Sequence, residues 1–193
     1  MTGAGRTIIP VGMTVNMTGT AGRNLDRSRI LENRGSILQD AGSITFPNGN
    51  GRIINVAGAI YEMRGEADLT RNNSGSNTFE NAGTLRKTGG GTTFFQDSAV
   101  FLTNTGTIQI EGGTLQLHGG ATLGGTVDIS AGGRLLVSNS VTLAAGLNIS
   151  GAGQVEVAST LTVNNAQVFP NLTLNGGTIS GIGEITFTGS FTW

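Results

Sequence analysis

The chain of 193 residues contains no cysteine, one histidine, three prolines and one tryptophan. Without cysteine there is no disulfide, no thiolate metal site and no thiol nucleophile. The lone His118 supplies neither a zinc ligand set nor a Ser–His pair, and no G-x-S-x-G run is present. Three prolines, and glycines that do not recur at every third position, exclude a collagen-type triple helix. Charged residues are only 12%, about half the usual share. A net charge of −1 leaves no global basic field to attract nucleic acid. No apolar run approaches the roughly 20 residues of a membrane-spanning helix, so no membrane insertion is expected. The start, MTGAGRTIIPVG, has no apolar core of signal-peptide type. Phosphate-binding glycine loops are missing as well.

What is abundant is glycine, 33 residues of it. Pairs seven residues apart recur: Gly12/Gly19, Gly35/Gly42, Gly58/Gly65, Gly83/Gly90 and Gly106/Gly113. Their first members are separated by 23, 23, 25 and 23 residues. A period in the low twenties is the mark of stacked small units rather than of one globular core.

Taking the first glycine as origin, apolar residues stand four before it: Ile8, Leu31, Ile54, Phe79 and Leu102. Two after it stand Thr14, Ile37, Ile60, Leu85 and Ile108. Nine and eleven after it stand Ile44/Phe46, Ala67/Leu69, Thr92/Phe94 and Leu115/Leu117. Each unit thus holds three short alternating segments, the strand signal, with glycine turning the corners. The pattern predicts an all-β fold: a single right-handed parallel β-solenoid, with handedness following the rule for parallel crossovers. Apolar columns would fill its narrow interior.

Beyond Gly113 the pattern loosens. Gly125/Gly132, Gly146/Gly153 and Gly176/Gly183 keep the offset, but the intervals become 19, 21 and 30. We expect about eight coils of roughly 19–30 residues, a rod roughly 40 Å long at the strand spacing. The longest interval predicts an excursion near Asn164–Asn171. Residues 1–29 read as an atypical first coil or N-terminal cap. Residues 30–193 read as the repeat array, continuing in a longer parent.

The runs Leu102-Thr-Asn-Thr-Gly-Thr-Ile108, Phe79-Glu-Asn-Ala-Gly-Thr-Leu85 and Gly112-Gly-Thr-Leu-Gln-Leu117 resemble coils of bacterial filamentous-haemagglutinin-like exoproteins and autotransporter passenger domains. The likeness is one of repeat style, over about residues 30–193. It implies an extracellular or cell-surface location and a structural, non-enzymatic role of adhesin or stalk type. It also implies surface glycans or neighbouring cells as partners. Phe46-Pro-Asn-Gly49 and Phe169-Pro-Asn-Leu172 lack the leading Asn of that family's secretion motifs, so no secretion domain is assigned.

Two alternatives remain: a filament subunit stacking end to end through its coil ends, and a carbohydrate-binding or carbohydrate-cleaving solenoid. For the last, the candidates are Glu62, Arg64, Glu66, Asp68 and Lys87. Glu66 and Asp68 flank Ala67 and should point outward, where paired carboxylates can cleave a glycan or hold calcium. A solvated strand face explains them as well. Glu62 and Lys87 both lie four after the glycine and should stack as a surface ion pair. His118 should be an exposed turn residue. Arg23, Arg27, Arg29 and Arg34 should decorate the first coil edge. Tyr61, Phe95, Phe101 and Trp193 are the aromatics available to stack on sugars. Thr122, Thr142, Thr160, Thr162 and Thr173 fall at uneven intervals, which argues against a threonine ladder of the ice-binding kind. No catalytic residue, metal site or cofactor is assigned.

Overall fold

A computed structural model describes residues 1–72, 75–96 and 100–193. Among them there is no helix; 27 short strands build a parallel β-solenoid. Each coil contributes one strand to each of three faces. The first sheet holds nine strands, from Arg6–Ile9 to Thr178–Ser180. The second holds seven, from Thr14–Met17 to Asn148–Ser150, and a two-stranded sheet of Gln167–Phe169 and Ile185–Phe187 follows it. The third holds nine, from Arg23–Asn24 to Phe191–Thr192. About eight turns separate the first strand of a nine-stranded face from its last.

Residues 6–24 make a coil in register with the next one: Thr7 pairs with Leu31, Val15 with Ile37 and Arg23 with Ile44. Residues 164–171 make no excursion, because Gln167–Phe169 is an ordinary rung of the coil. The interval from Gly146 to Gly176 is long because the two glycines serve different corners.

Alternation sends every second side chain inward. One interior column runs Leu31, Ile53, Phe79, Leu102, Ala121, Val141 and Leu161. A second runs Ile37, Tyr61, Leu85, Ile108, Val127 and Ile149. A third joins Leu115, Leu135, Val155 and Leu172. All of these side chains are buried in one continuous core.

Counting from glycine mislocates several of them. Ile8 and Ile54 face outward, while Thr7 and Ile53 take the inward places. Likewise Val15 and Tyr61, not Thr14 and Ile60, continue the second column. Thr93 and Phe95 are buried in place of Thr92 and Phe94. Ile44 pairs with Leu69 rather than Ala67. Corners of two lengths are the cause. Before Ser36 and Thr84 the chain turns directly through Gly35 and Gly83, but before Ile60 it needs Val56-Ala-Gly-Ala59. Gly58 sits in open space at φ +83°, a conformation glycine adopts without strain. The residue of the long corner that stands opposite Gly35 and Gly83 is therefore not Gly58 but Ala59.

Of the predicted turn glycines, Gly12, Gly19, Gly42, Gly58, Gly65 and Gly113 have positive φ. Gly35, Gly83 and Gly106 instead allow close coil approach, and Gly90 meets nothing within 4 Å. A Cβ on Gly106 would overlap the Gly83 carbonyl and the Ala82 backbone. Gly106→Ala is therefore expected to cost about 2 kcal/mol, because the obstruction is main chain and cannot rotate away. Urea unfolding would read it, with Gly58→Asn as a mild comparison, since Asn tolerates positive φ.

Candidate functional site

The five candidate residues lie around the corner between the second and third sheets, in the coils of Ile60–Arg64 and Thr84–Thr88. They do not converge. Glu62 pairs across the sheet with Arg86 and Leu38, not with Lys87. On the outer face, Asp40, Glu62, Arg64, Arg86 and Glu111 form one chain of ion pairs. Arg64 donates to Glu62 at 2.7 Å and Asp40 at 3.0 Å, and Arg86 approaches Glu111 at 3.2 Å and Glu62 at 3.8 Å. Thr88 donates a further hydrogen bond to Glu62 at 3.1 Å. Its hydrogen bonds to Glu62 and Asp40 hold the Arg64 pKa above its ordinary value. Each carboxylate of this network is thus paired with a guanidinium.

Lys87 overturns its expected role most fully. It pairs with Met63 and Ile110, in the inward column that also holds Gln39 and Ile129. Its side chain is fully buried. The ammonium donates to the carbonyls of Thr88 at 2.9 Å, Gly89 at 3.0 Å and Gly90 at 3.4 Å, so the following corner curls around it. Burial lowers its pKa from the ordinary 10.5, and the charge of Glu66 opposes the shift.

The consequence for stability has a definite sign. Below the folded-state pKa both states carry the proton, and the penalty of the buried charge is fully present. Between that pKa and 10.5 the unfolded chain binds more protons, so this group makes stability rise with pH. Tyr61 acts the other way above pH 10, because burial raises its pKa above that value. Lys87→Met is expected to leave stability at pH 7 unchanged or about 1 kcal/mol higher. It should also remove the rise just below pH 10.5. Denaturant midpoints from pH 7 to 10.5, in both proteins, check this.

Glu66 is exposed, and its stem packs beside Gly91, where a Cβ would stand 2.7 Å from Glu66 Cγ. Asp68 is half-buried, and its Oδ1 accepts the Phe94 N–H at 2.9 Å. Burial raises the Asp68 pKa; the Phe94 hydrogen bond lowers it and the Glu66 charge adds to the rise. Asp68 thus caps a strand at a place where the ladder between Leu69–Arg71 and Thr92–Phe95 is reduced to one residue pair.

Two surface hollows lie elsewhere. One of about 490 Å³ runs past Gly113, Thr114, Gly133, Arg134, Gln154 and Asn171. Arg134 there is engaged by Glu156 at 2.6 Å and Thr114 at 3.1 Å. The second, about 380 Å³, lies against Ile54, Asn55, Glu80, Asn81 and Thr103. Neither contains Glu62, Arg64, Glu66, Asp68 or Lys87. Among the described residues, no group of three His, Cys, Asp or Glu side chains is placed to hold a metal ion. Nor, among the described residues, is any helix long and apolar enough to cross a membrane.

The aromatic candidates divide. Tyr61 and Phe95 are fully buried, and Tyr61 donates to Gln39 at 2.8 Å inside the core. Phe101 and Trp193 are exposed, at far-apart coils. His118 is half-buried at a corner, with its carbonyl accepting from Asn139 at 2.8 Å. Of the arginine cluster, Arg34 pairs with Glu32, which Arg6 also engages, while Arg23 donates to the carbonyls of Thr18 and Ala41. Arg29 donates to Thr7 at 2.8 Å, and Arg27 adopts positive φ in an exposed turn.

One feature absent from the sequence-based expectations is an interior asparagine ladder. Asn33, Asn55, Asn81 and Asn104 stack in register, buried. Asn33 donates to the Asn55 amide oxygen at 2.8 Å, Asn55 to Asn81 at 2.8 Å and Asn81 to Asn104 at 2.6 Å. Each also donates to a carbonyl of the adjoining corner: Ile60, Thr84, Thr107 and Gly124, respectively. The signal was the Asn-x-Gly of Asn33-Arg-Gly35, Asn81-Ala-Gly83 and Asn104-Thr-Gly106, which Asn55-Val-Ala57 does not share.

No family model, curated protein or solved structure matches the chain.

Proposed function

We propose that this chain is a structural, non-enzymatic rod segment of a bacterial surface or secreted protein, of the stalk or adhesin type. The observation that supports it is the internal use of the chemistry-bearing groups. Asp40, Glu62, Arg64, Arg86 and Glu111 pair with one another, Lys87 is enclosed by corner carbonyls and Asp68 caps a strand. A catalytic solenoid needs acids and cations converging on a groove, and the two hollows hold none of these candidates. Stacked backbone ladders on three faces and a core shared by the coils give stiffness, which is what a stalk requires.

The test is incubation of the folded chain with a panel of acidic and neutral bacterial and plant polysaccharides, followed by reducing-end and unsaturated-product assays. This reading expects no depolymerisation. Chain cleavage that disappears in Asp68→Asn or Glu66→Gln would replace it with the enzyme. A second reading, a filament subunit, draws support from apolar side chains exposed towards the two ends, Val11 and Met13 at one and Ile182 and Trp193 at the other. Concentration-dependent fibres in negative-stain electron microscopy would favour it over the stalk.

A further inference from the structure

The outward face of the first sheet changes character along the rod. One column runs Ile8, Glu32, Ile54 and Glu80, then Thr103, Thr122, Thr142, Thr162 and Ser180. Its first part carries apolar and charged side chains, and its last five coils carry hydroxyls alone. Thr160 and Thr178 stand beside it as a second rank, paired with each other. The expectation that these threonines are scattered is therefore corrected. Unequal coil lengths hide a register that is continuous in three dimensions. Only Thr173 lies apart, on the third sheet.

Three properties distinguish this face from the rest of the surface. It is uncharged: the strands Val100–Asn104, Ala121–Leu123, Val141–Leu143, Thr160–Val163 and Thr178–Ser180 contain no ionisable residue. It is unbroken, since no residue is skipped in the pairing from Thr103 to Ser180. Its hydroxyls are also largely unspent. Thr162 and Ser180 share one hydrogen bond at 3.1 Å, whereas Thr103, Thr122, Thr142, Thr160 and Thr178 make none with another described side chain. Several outward polar groups elsewhere satisfy each other, as in Thr45 with Thr70, Gln154 with Thr173 and Ser150 with Asp128. The second sheet has a shorter column, Thr84, Thr107 and Thr126, but Arg86, Gln109 and Asp128 stand two residues further along those strands.

We propose that this hydroxyl face binds the surface of ice. Adjacent rungs repeat at about 4.8 Å, and residues two apart on a strand lie about 7 Å from one another. Both repeats fall near those of the rows of water molecules in ice. Threonine suits the purpose because β-branching restricts its χ1 rotation. Hydroxyl and methyl are then held in place before contact, and little side-chain entropy is lost on binding. The absence of charge matters too, since an ion orients water around itself and disrupts a lattice match. A glycan partner would call for stacking rings and longer hydrogen-bonding side chains, and the face offers only Phe101 at its margin. This inference does not depend on the stalk reading, because a rod with or without a mechanical role presents the same face.

The test is thermal hysteresis and ice-recrystallisation inhibition by the purified chain. Shaped ice crystals and measurable hysteresis are expected from the wild type. Thr142→Glu with Thr162→Glu should reduce both to the level of buffer. These substitutions should fold, because Glu32 and Glu80 already occupy the same column in earlier coils. Circular dichroism confirms folding of each protein. The matched control Thr107→Glu, on the second sheet, should retain full activity. The proposal is overturned if the folded wild type neither shapes ice nor slows recrystallisation, or if the double variant acts like wild type. Retention on crystalline cellulose or chitin that is lost in the double variant, without ice activity, would assign the face to polysaccharide instead.

Discussion

Replacing Phe79 with alanine is expected to cost about 4 kcal/mol, the upper part of the range for a buried aromatic. Its ring is the middle of three from successive positions in the core, edge-on to Tyr61 at 5.1 Å and to Phe95 at 5.5 Å. Truncation removes both ring contacts and leaves a void walled by side chains from three coils. Those coils cannot close over it without shifting the backbone ladders that fix their spacing. In a stack of units held by nearest-neighbour contacts, damage at one rung also weakens the coupling across it. Urea unfolding should therefore lose cooperativity as well as midpoint, with the coils before Phe79 separating from those after it. Phe79→Leu, which keeps much of the volume, should lose well under half as much.

Asn81→Leu should cost about 3 kcal/mol, although it is similar in volume and buried. The change deletes the donor to Asn104, the acceptor for Asn55 and the donor to the Thr107 carbonyl in one step. Buried polar groups left unpaired carry the desolvation cost without its return. The same column is occupied by Leu123, Leu143 and Val163 in the later coils, so leucine is not excluded by shape. Replacing all four ladder asparagines with leucine is accordingly expected to cost far less than four times the single change, because neighbours in one network are not additive. Equilibrium unfolding of the single and quadruple variants decides this.

The fold was legible because it rests on the most redundant signals, alternation and recurrent turn glycines. Register was less so. The corner Val56-Ala-Gly-Ala59 is two residues longer than Arg34-Gly35 and sets Gly58 one place before the position that Gly35 holds, and the run Gly89-Gly-Gly91 lengthens the next corner; in a strand a shift of one residue exchanges inside for outside. That slip made Lys87 look like a surface partner of Glu62, and it made Tyr61 look available to a sugar. The asparagine ladder could have been found from Asn-x-Gly, had the asparagine been weighed as an interior residue despite its polarity. The hydroxyl face was hidden for a different reason. Thr103, Thr122, Thr142, Thr162 and Ser180 align only when each coil is measured from its own strand, and the coils differ in length. Of the candidate site, Glu66 and Asp68 lie in a corner rather than on one strand, and which residues face one another is set by pairing that the spacing alone does not determine.

All of these conclusions depend on equivalent residues advancing by one strand spacing per coil. Spin labels on cysteines introduced at Thr103 and Ser180, in this otherwise cysteine-free chain, measure that advance directly. The two positions lie four coils apart on one outward column, so a narrow distance distribution centred at about 19 Å is expected from double electron–electron resonance. A broad distribution, or one centred beyond about 30 Å, would contradict the stacking, and the core columns, the asparagine ladder and the hydroxyl face would fail with it.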